Sequence, residues 1–178
     1  VTSSAIGMDK YAMKAVLKLA GLPVLDAIAY TNRQYSMDEK GIVDNIEKKI
    51  NYPVIVKPVN LGSSVGISLA SNRTKLMKAL DIAFSFSSRA LIEPAVQNLR
   101  EINCSVLGDS ESAKASACEE PITSHDILNY SDKYLNNAGD AGGEKSGMSS
   151  LKRRLPADIP HEMEKQIKEL AVKTFNAL

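Results

Sequence analysis

The sequence has no tryptophan and few aromatic side chains of any kind: three Phe and six Tyr, 5% of 178 residues. So few rings offer no platform on which nucleic-acid bases would stack. An excess of one charge is missing too. The 22 Lys and Arg stand against 21 Asp and Glu, a formal net charge of +1, so no basic field is available for nucleic acid or an anionic membrane. No stretch approaches the ~20 apolar residues of a membrane helix. The opening Val1-Thr2-Ser3-Ser4 lacks the basic start and long apolar core of a secretory signal. Nucleic acid and membrane are therefore not expected as partners.

Cysteine and histidine are scarce as well. Cys104, Cys118, His125 and His161 are not spaced like a metal site, and no metal ligand is assigned among them. Cys104 alternates with Ile102 and Val106, which predicts a core-facing free thiol and fits a reducing cytoplasm. Both histidines read as ordinary surface residues.

What is present is enough apolar residue, 44%, for a real core in one large domain or two small ones. The chain opens without Met and stops on Phe175-Asn176-Ala177-Leu178, an apolar helix with no cap after it, so a fragment of a longer protein is expected.

The most informative stretch is Gly62-Ser63-Ser64-Val65-Gly66. It follows Tyr52-Pro53-Val54-Ile55-Val56-Lys57-Pro58-Val59, an apolar run that reads as a buried strand with one charge, Lys57, inside it. A buried ammonium is costly unless it meets an anion. A lysine at a strand end beside a Gly/Ser loop can hold a phosphate. No Gly-Lys-Ser/Thr opens a helix here, so the loop is not a Walker A loop. The competing reading is a plain turn and a lysine that reaches out to water.

Periodicity sets the surroundings. Asp9 caps a helix with Tyr11, Ala12, Ala15, Val16 and Leu19 at helical spacing, ended by Gly21 and Pro23. A strand is expected over Val24–Tyr30. Ser36 is expected to cap a helix over Asp38–Lys49, acidic early and basic late. A strand over Val65–Ala70 leads to a helix capped by Ser71 or Asn72, with Leu76, Ala79, Leu80 and Ile82 inward. Ala90-Leu91-Ile92 reads as a strand running into Glu93-Pro94. Beyond it, Glu101–Leu107 and Ser112–Cys118 are strands about a Gly108-Asp109 hairpin signal. Residues 119 to 158 carry four glycines and little periodicity, the mark of a functional or mobile segment or of a linker. Pro160 opens a last helix with Met163, Ile167, Leu170, Ala171 and Phe175 on one side.

Four segments, in order, resemble the D-alanine–D-alanine ligases of the ATP-grasp superfamily. They are Gly7-Met8-Asp9-Lys10; Pro53 to Pro58 with Gly62 to Gly66; Leu91-Ile92-Glu93 with Arg100-Glu101; and Tyr130-Ser131-Asp132-Lys133-Tyr134. The resemblance implies an α/β fold of the α+β type. It would have two ATP-grasp subdomains, 1–90 and a truncated 91–178, with nucleotide between them and a mobile loop over about 119–158. It implies ATP and Mg2+ as cofactors and D-alanine as substrate. The product would be a D-alanyl dipeptide for peptidoglycan, formed through an acylphosphate by a cytoplasmic homodimer.

The same resemblance assigns roles. Lys10 and Lys57 contact the ATP phosphates, and Gly62, Ser63 and Ser64 form the loop that covers them. Glu93 accepts from the adenine amino group, with backbone contacts from Pro94 and Val96. Glu101 holds the ribose hydroxyls. Lys133 reaches the phosphates, and Tyr134 bonds toward Ser63, the pair counted as catalytic.

Two parts of the family pattern are missing: an N-terminal domain that supplies a glutamate, and a C-terminal segment that supplies the metal ligands. The chain is accordingly expected to be inactive alone. The long Gly-rich stretch Ala138–Ser150 resembles the ligases of some Gram-positive bacteria, including D-alanyl-D-serine makers of the vancomycin-resistance type. That activity, and a nucleotide-binding module without catalysis, stand as the alternatives.

Overall fold

The computed structural model describes residues 1–109, 111–122 and 153–178. They fall into two compact units, Val1–Ala15 with Pro23–Gln97, and Val16–Leu22 with Asn98–Leu178.

The first unit contains helices α1 (Thr2–Met8), α3 (Asn32–Met37), α4 (Glu39–Lys49) and α5 (Arg73–Phe86), and the start of α2 (Lys10–Leu19). Its strands are β1 (Ile28–Thr31), β2 (Val54–Pro58), β3 (Ser68–Ala70) and β4 (Arg89–Pro94), ordered β1-β4-β2-β3 and antiparallel throughout. Strand alternation divides the sheet's residues between two faces. Val54, Val56, Ala70, Ala90 and Ile92 join Val43, Ile46, Leu76, Leu80 and Ala83 from α4 and α5 in one buried cluster. The other face carries Ile55, Lys57, Leu91 and Glu93, brought together by the pairings Ile55↔Glu93 and Lys57↔Leu91.

Caps set the helix starts. Asn72 accepts from Lys75 N (3.0 Å) to open α5, and Asp38 accepts from Gly41 N (2.9 Å) to open α4. Ser36 caps nothing: it lies inside α3, a short helix opened by a Thr31–Gln34 capping box. Its three-residue spacing to Glu39 imitates a cap, but Thr31 and Asp38 satisfy the free N–H groups first. Ile82 is 44% exposed, because α5 is buried along Leu76, Ala79, Leu80 and Ala83 only. The expected strands over Val24–Tyr30 and Val65–Ala70 shorten to β1 and β3, since the turn after Gly62 runs on to Ile67.

In the second unit, β5 (Val106–Gly108) and β6 (Ala113–Ala115) form the expected hairpin, shorter than the alternation suggests. Residues 101–105 outside it join the partner strand through an isolated Asn103↔Glu119 bridge. Strand β7 (Glu120–Pro121) pairs with β8 (Arg153–Arg154), and α6 (His161–Ala177) packs against β5 and β6. On α6 the expected inward residues Met163 and Phe175 are 46% and 37% exposed, so the covered stripe is narrower than the apolar spacing. Cys104 is half-buried, and Cys118 is the fully buried thiol.

Candidate functional site

The start of α2 is fixed to the sheet at several points. Asp9 Oδ1 accepts from Tyr11 N (3.0 Å) and Ala12 N (2.8 Å), the cap expected from the sequence. Its other oxygen meets Arg89 Nη1 of β4 at 2.7 Å, and the Arg89 guanidinium lies 5.7 Å from the centre of the Tyr11 ring. Lys10 N donates to Val59 O at 3.0 Å. These contacts bring the Lys10 ammonium to the carbonyls of Pro58 (3.2 Å), Val59 (3.4 Å) and Leu61, directly before the Gly/Ser loop.

One helical turn on, Lys14 shares the helix face of Lys10. It lies 2.8 Å from Glu93 Oε2 and donates to Leu25 O at 2.8 Å. Lys57 is ion-paired with the other oxygen, Oε1. Glu93, 6% exposed, is thus clamped by two ammonium groups, one on each oxygen. Oε2 has no hydrogen bond of good geometry. The ion pair nonetheless governs it, because two opposite charges 2.8 Å apart attract whatever the angle.

The charge balance shapes the titration of the cluster. Burial alone would raise the Glu93 carboxyl, but the ion pairs with Lys14 and Lys57 outweigh it and hold the group below the ordinary carboxylate range. Lys10 is pushed below the usual lysine value, first by its own burial and then by the Lys57 charge, against the opposing pull of Asp9 and Glu93. Lys10, Lys14 and Lys57 together outnumber their carboxylate partner, a field suited to an anion.

The loop beside them is conformationally unusual. Ser63 and Ser64 have φ of 52° and 61°, and Gly66 follows at 70°. Left-handed backbone costs a non-glycine residue about 1–2 kcal/mol, and strain of this kind gathers at ligand clamps. Val65 N donates to Gly62 O (3.1 Å) and Ile67 N to Ser64 O (3.3 Å), so the loop is two successive turns. A Cβ on Gly66 would stand 2.7 Å from Pro58 Cγ and 3.0 Å from Phe86 Cδ2, so only glycine fits there.

The residues singled out in the sequence thus divide. Lys10, Lys57, Gly62, Ser63, Ser64 and Glu93 all belong to the first unit and gather around the end of β2. Pro94 closes β4 opposite Val54, the first residue of β2, and Val96 beyond it is 50% exposed. Glu101 is an exposed residue of the second unit. Lys133, Tyr134 and most of the 119–158 segment lie outside the described residues. The sequence reading missed Lys14. Its spacing of four from Lys10 was the available signal, but an exposed lysine on an amphipathic helix looks the same until the sheet is in place. Among the described residues, no three His, Cys, Asp or Glu side chains are grouped to hold a metal ion.

The family model described as D-ala D-ala ligase C-terminus matches residues 16–178. The chain belongs to the D-alanine–D-alanine ligase family. It is similar to the D-alanine–D-alanine ligase of Acetivibrio thermocellus, 39% identical over 178 residues, which are 100% of this chain and 44% of that protein. The Synechococcus sp. (strain RCC307) ligase is 39% identical over 184 residues, covering 100% of this chain and 47% of its own. Among solved structures, the VanG D-Ala:D-Ser ligase from Enterococcus faecalis superposes with a TM-score of 0.77 at 29% identity, covering 98% of this chain and 46% of that one. The Coxiella burnetii D-alanine–D-alanine ligase gives 0.72 at 26% identity, over 98% and 41%. The ATP-grasp fold of this ligase family is therefore the fold of this chain, which spans less than half the length of these relatives.

Proposed function

We propose that this chain is the nucleotide-binding part of an ATP-dependent ligase that joins two D-alanines for peptidoglycan. The observation that carries the reading is the pairing of Lys14 and Lys57 with Glu93 on one face of the sheet, with the Lys10 ammonium on the carbonyls of Pro58, Val59 and Leu61 just before the Gly62–Gly66 loop. Excess positive charge beside a strained Gly/Ser loop suits a polyphosphate, and a carboxylate at the same place suits a hydrogen-bond donor such as the adenine amine.

In this reading Lys10 and Lys57 hold the ATP phosphates, and Gly62, Ser63 and Ser64 cover them. Glu93 accepts from the adenine amine, flanked by the backbone of Pro94 and Val96. Glu101 takes the ribose hydroxyls, Lys133 reaches the phosphates, and Tyr134 orders Ser63. Lys10 spends its hydrogen bonds on the carbonyls of Pro58, Val59 and Leu61, so it reaches phosphate by exchanging at least one of them.

The reaction begins with transfer of the γ-phosphoryl group to the carboxylate of the first D-alanine, which releases ADP. The amine of the second D-alanine then attacks the acyl carbon, the amide forms and phosphate leaves. The described residues of this chain supply positioning and charge neutralisation, the main needs of phosphoryl transfer. Mg2+ belongs to the proposal as the partner of the ATP phosphate oxygens. The described residues offer it no grouped carboxylate ligands. No described helix is long and apolar enough to cross a membrane. A cytoplasmic, homodimeric parent enzyme completes the reading.

The structural likeness to a D-Ala:D-Ser ligase, TM-score 0.77, favours D-serine as the alternative second substrate. The central test is calorimetric titration with a non-hydrolysable ATP analogue and magnesium, on the native chain and on Lys57→Ala/Glu93→Ala. Binding by the native chain, lost in a variant that retains its circular dichroism, is the expected result. A folded native chain that takes up no nucleotide would overturn the reading.

A further inference from the structure

We propose that Cys104 and Cys118 are a cross-strand dithiol that a low-molecular-weight disulfide oxidises reversibly to an intramolecular disulfide. The proposal is independent of the ligase reading and rests on backbone register, side-chain proximity and access.

Asn103 and Glu119 exchange both backbone bonds, N–H to O at 2.7 and 2.8 Å. One step inward from that bridge, Cys104 faces Cys118. Further along, the hairpin runs in another register, Val106↔Ala115, with Ser116 N donating to Ser105 O at 2.8 Å. The two registers differ by one residue. The return strand therefore holds one residue more than its partner, a β-bulge in which Ala117 and Cys118 together oppose Cys104. Cys118 is the bulge residue next to the Asn103–Glu119 bridge, so it stands across the strand pair from Cys104, and a disulfide needs Cα atoms ~4.4–6.8 Å apart.

The side chains meet accordingly. Cys104 Sγ reaches the carbonyls of Ser105 (3.9 Å) and Ser116 (3.7 Å), and its thiol is near enough to act on the titration of Cys118. Burial and the neighbouring Cys104 push the Cys118 thiol up. Glu164 of α6 acts in the same direction and Lys168 of α6 opposes it; the Lys168 ammonium lies near both sulfurs. Access is one-sided. Cys118 is 1% exposed, whereas Cys104 lines an open cavity of about 590 Å³ with Asn103, Ser116, Glu119 and Leu155. A cavity of that size admits a small peptide disulfide.

These positions order the chemistry. The Cys104 thiolate attacks one sulfur of an oxidant RSSR; a Cys104–SR bond forms and RS⁻ leaves. The Cys118 thiolate then attacks Cys104 Sγ; the Cys104–Cys118 bond forms, the Cys104–SR bond breaks, and a second RS⁻ leaves. The two RS⁻ take up the protons that the cysteines lost. Two electrons pass from the protein sulfurs to the oxidant, and a dithiol reductant reverses the sequence.

The test is incubation of the folded chain with oxidised glutathione, alkylation of remaining thiols, and mass spectrometry with and without reduction. Trypsin cuts after Arg100 and Lys114, so a bridge joins two peptides that otherwise separate. The expected product is a monomer lighter by two hydrogens with those peptides linked, returned to free thiols by dithiothreitol. Cys118→Ser should retain glutathione on Cys104, and Cys104→Ser should take up neither adduct nor bridge. Lasting glutathione on Cys104 of the native chain, disulfide-joined dimers, or two thiols still free after oxidation would each refute the proposal.

Discussion

Lys14 Nζ stands 2.8 Å from Glu93 Oε2 although 78 residues separate the two in the sequence. With Lys57 on the other oxygen, it makes Glu93 a bridge between the first turns of α2 and the central strand pair β2–β4. The lysines are 18% and 19% exposed and the carboxylate 8%, so the cluster is largely shielded from water and its charges depend on one another.

A double-mutant cycle on Lys14→Met and Glu93→Gln should therefore report coupling. Contacting charged groups in one network typically couple by about 0.5–3 kcal/mol. We expect a value in the upper half of that range, because little solvent screens the pair. Urea unfolding of the four proteins measures it, and additive effects would show that Lys57 alone satisfies Glu93.

The pH dependence of the same site has a defined sign. The Glu93 carboxyl titrates lower in the folded chain than the ~4.3 of an unfolded glutamate. Its contribution to stability is complete above the unfolded value and is lost as the pH falls through the depressed folded value. The stability gap between the native chain and Glu93→Gln should be widest near neutrality and should narrow in acid. A gap that widened toward acid would contradict the assignment.

Gly66→Ala should destabilise the first unit by about 1–3 kcal/mol, since it combines a positive φ of 70° with a Cβ placed 2.7 Å from Pro58 Cγ. Thermal unfolding reads the effect directly. Gly62→Ala is the control: its Cβ meets nothing within 4 Å, so a far smaller loss is expected there.

Asp9→Ala removes the cap of α2 and the 2.7 Å partner of Arg89 together. A lost cap costs about 0.5–2 kcal/mol, and the half-exposed ion pair adds little. Because Asp9 also positions the turn that carries Lys10, weaker binding of an ATP analogue should accompany the lower melting temperature. Unchanged affinity would uncouple the cap from the nucleotide site.

Much of this was legible in the sequence wherever the cause was local. The run Val54–Pro58 read as a strand because it is a short apolar run about a single lysine, and in the structure its residues are alternately buried and half-buried. Asp9 read as a cap, as did Ser71 or Asn72, because short polar side chains there can reach the free N–H groups of the next turn, and the structure uses Asp9 and Asn72. Helix α1 escaped notice because it buries none of its residues and so shows no apolar period.

The sequence by itself determined most of the longer elements, the family motifs and the placing of Lys57 ahead of a Gly/Ser loop, because spacing along the chain sets helix faces, strand faces and turns. Tertiary structure alone decided the partners: Lys14 with Glu93, Asp9 with Arg89, and Cys104 opposite a one-residue bulge that carries Cys118. The reason is physical. Which lysine meets a carboxylate 79 positions further along the chain depends on the register of β2 against β4 and on how α2 is held to the sheet, and neither is written in the local pattern.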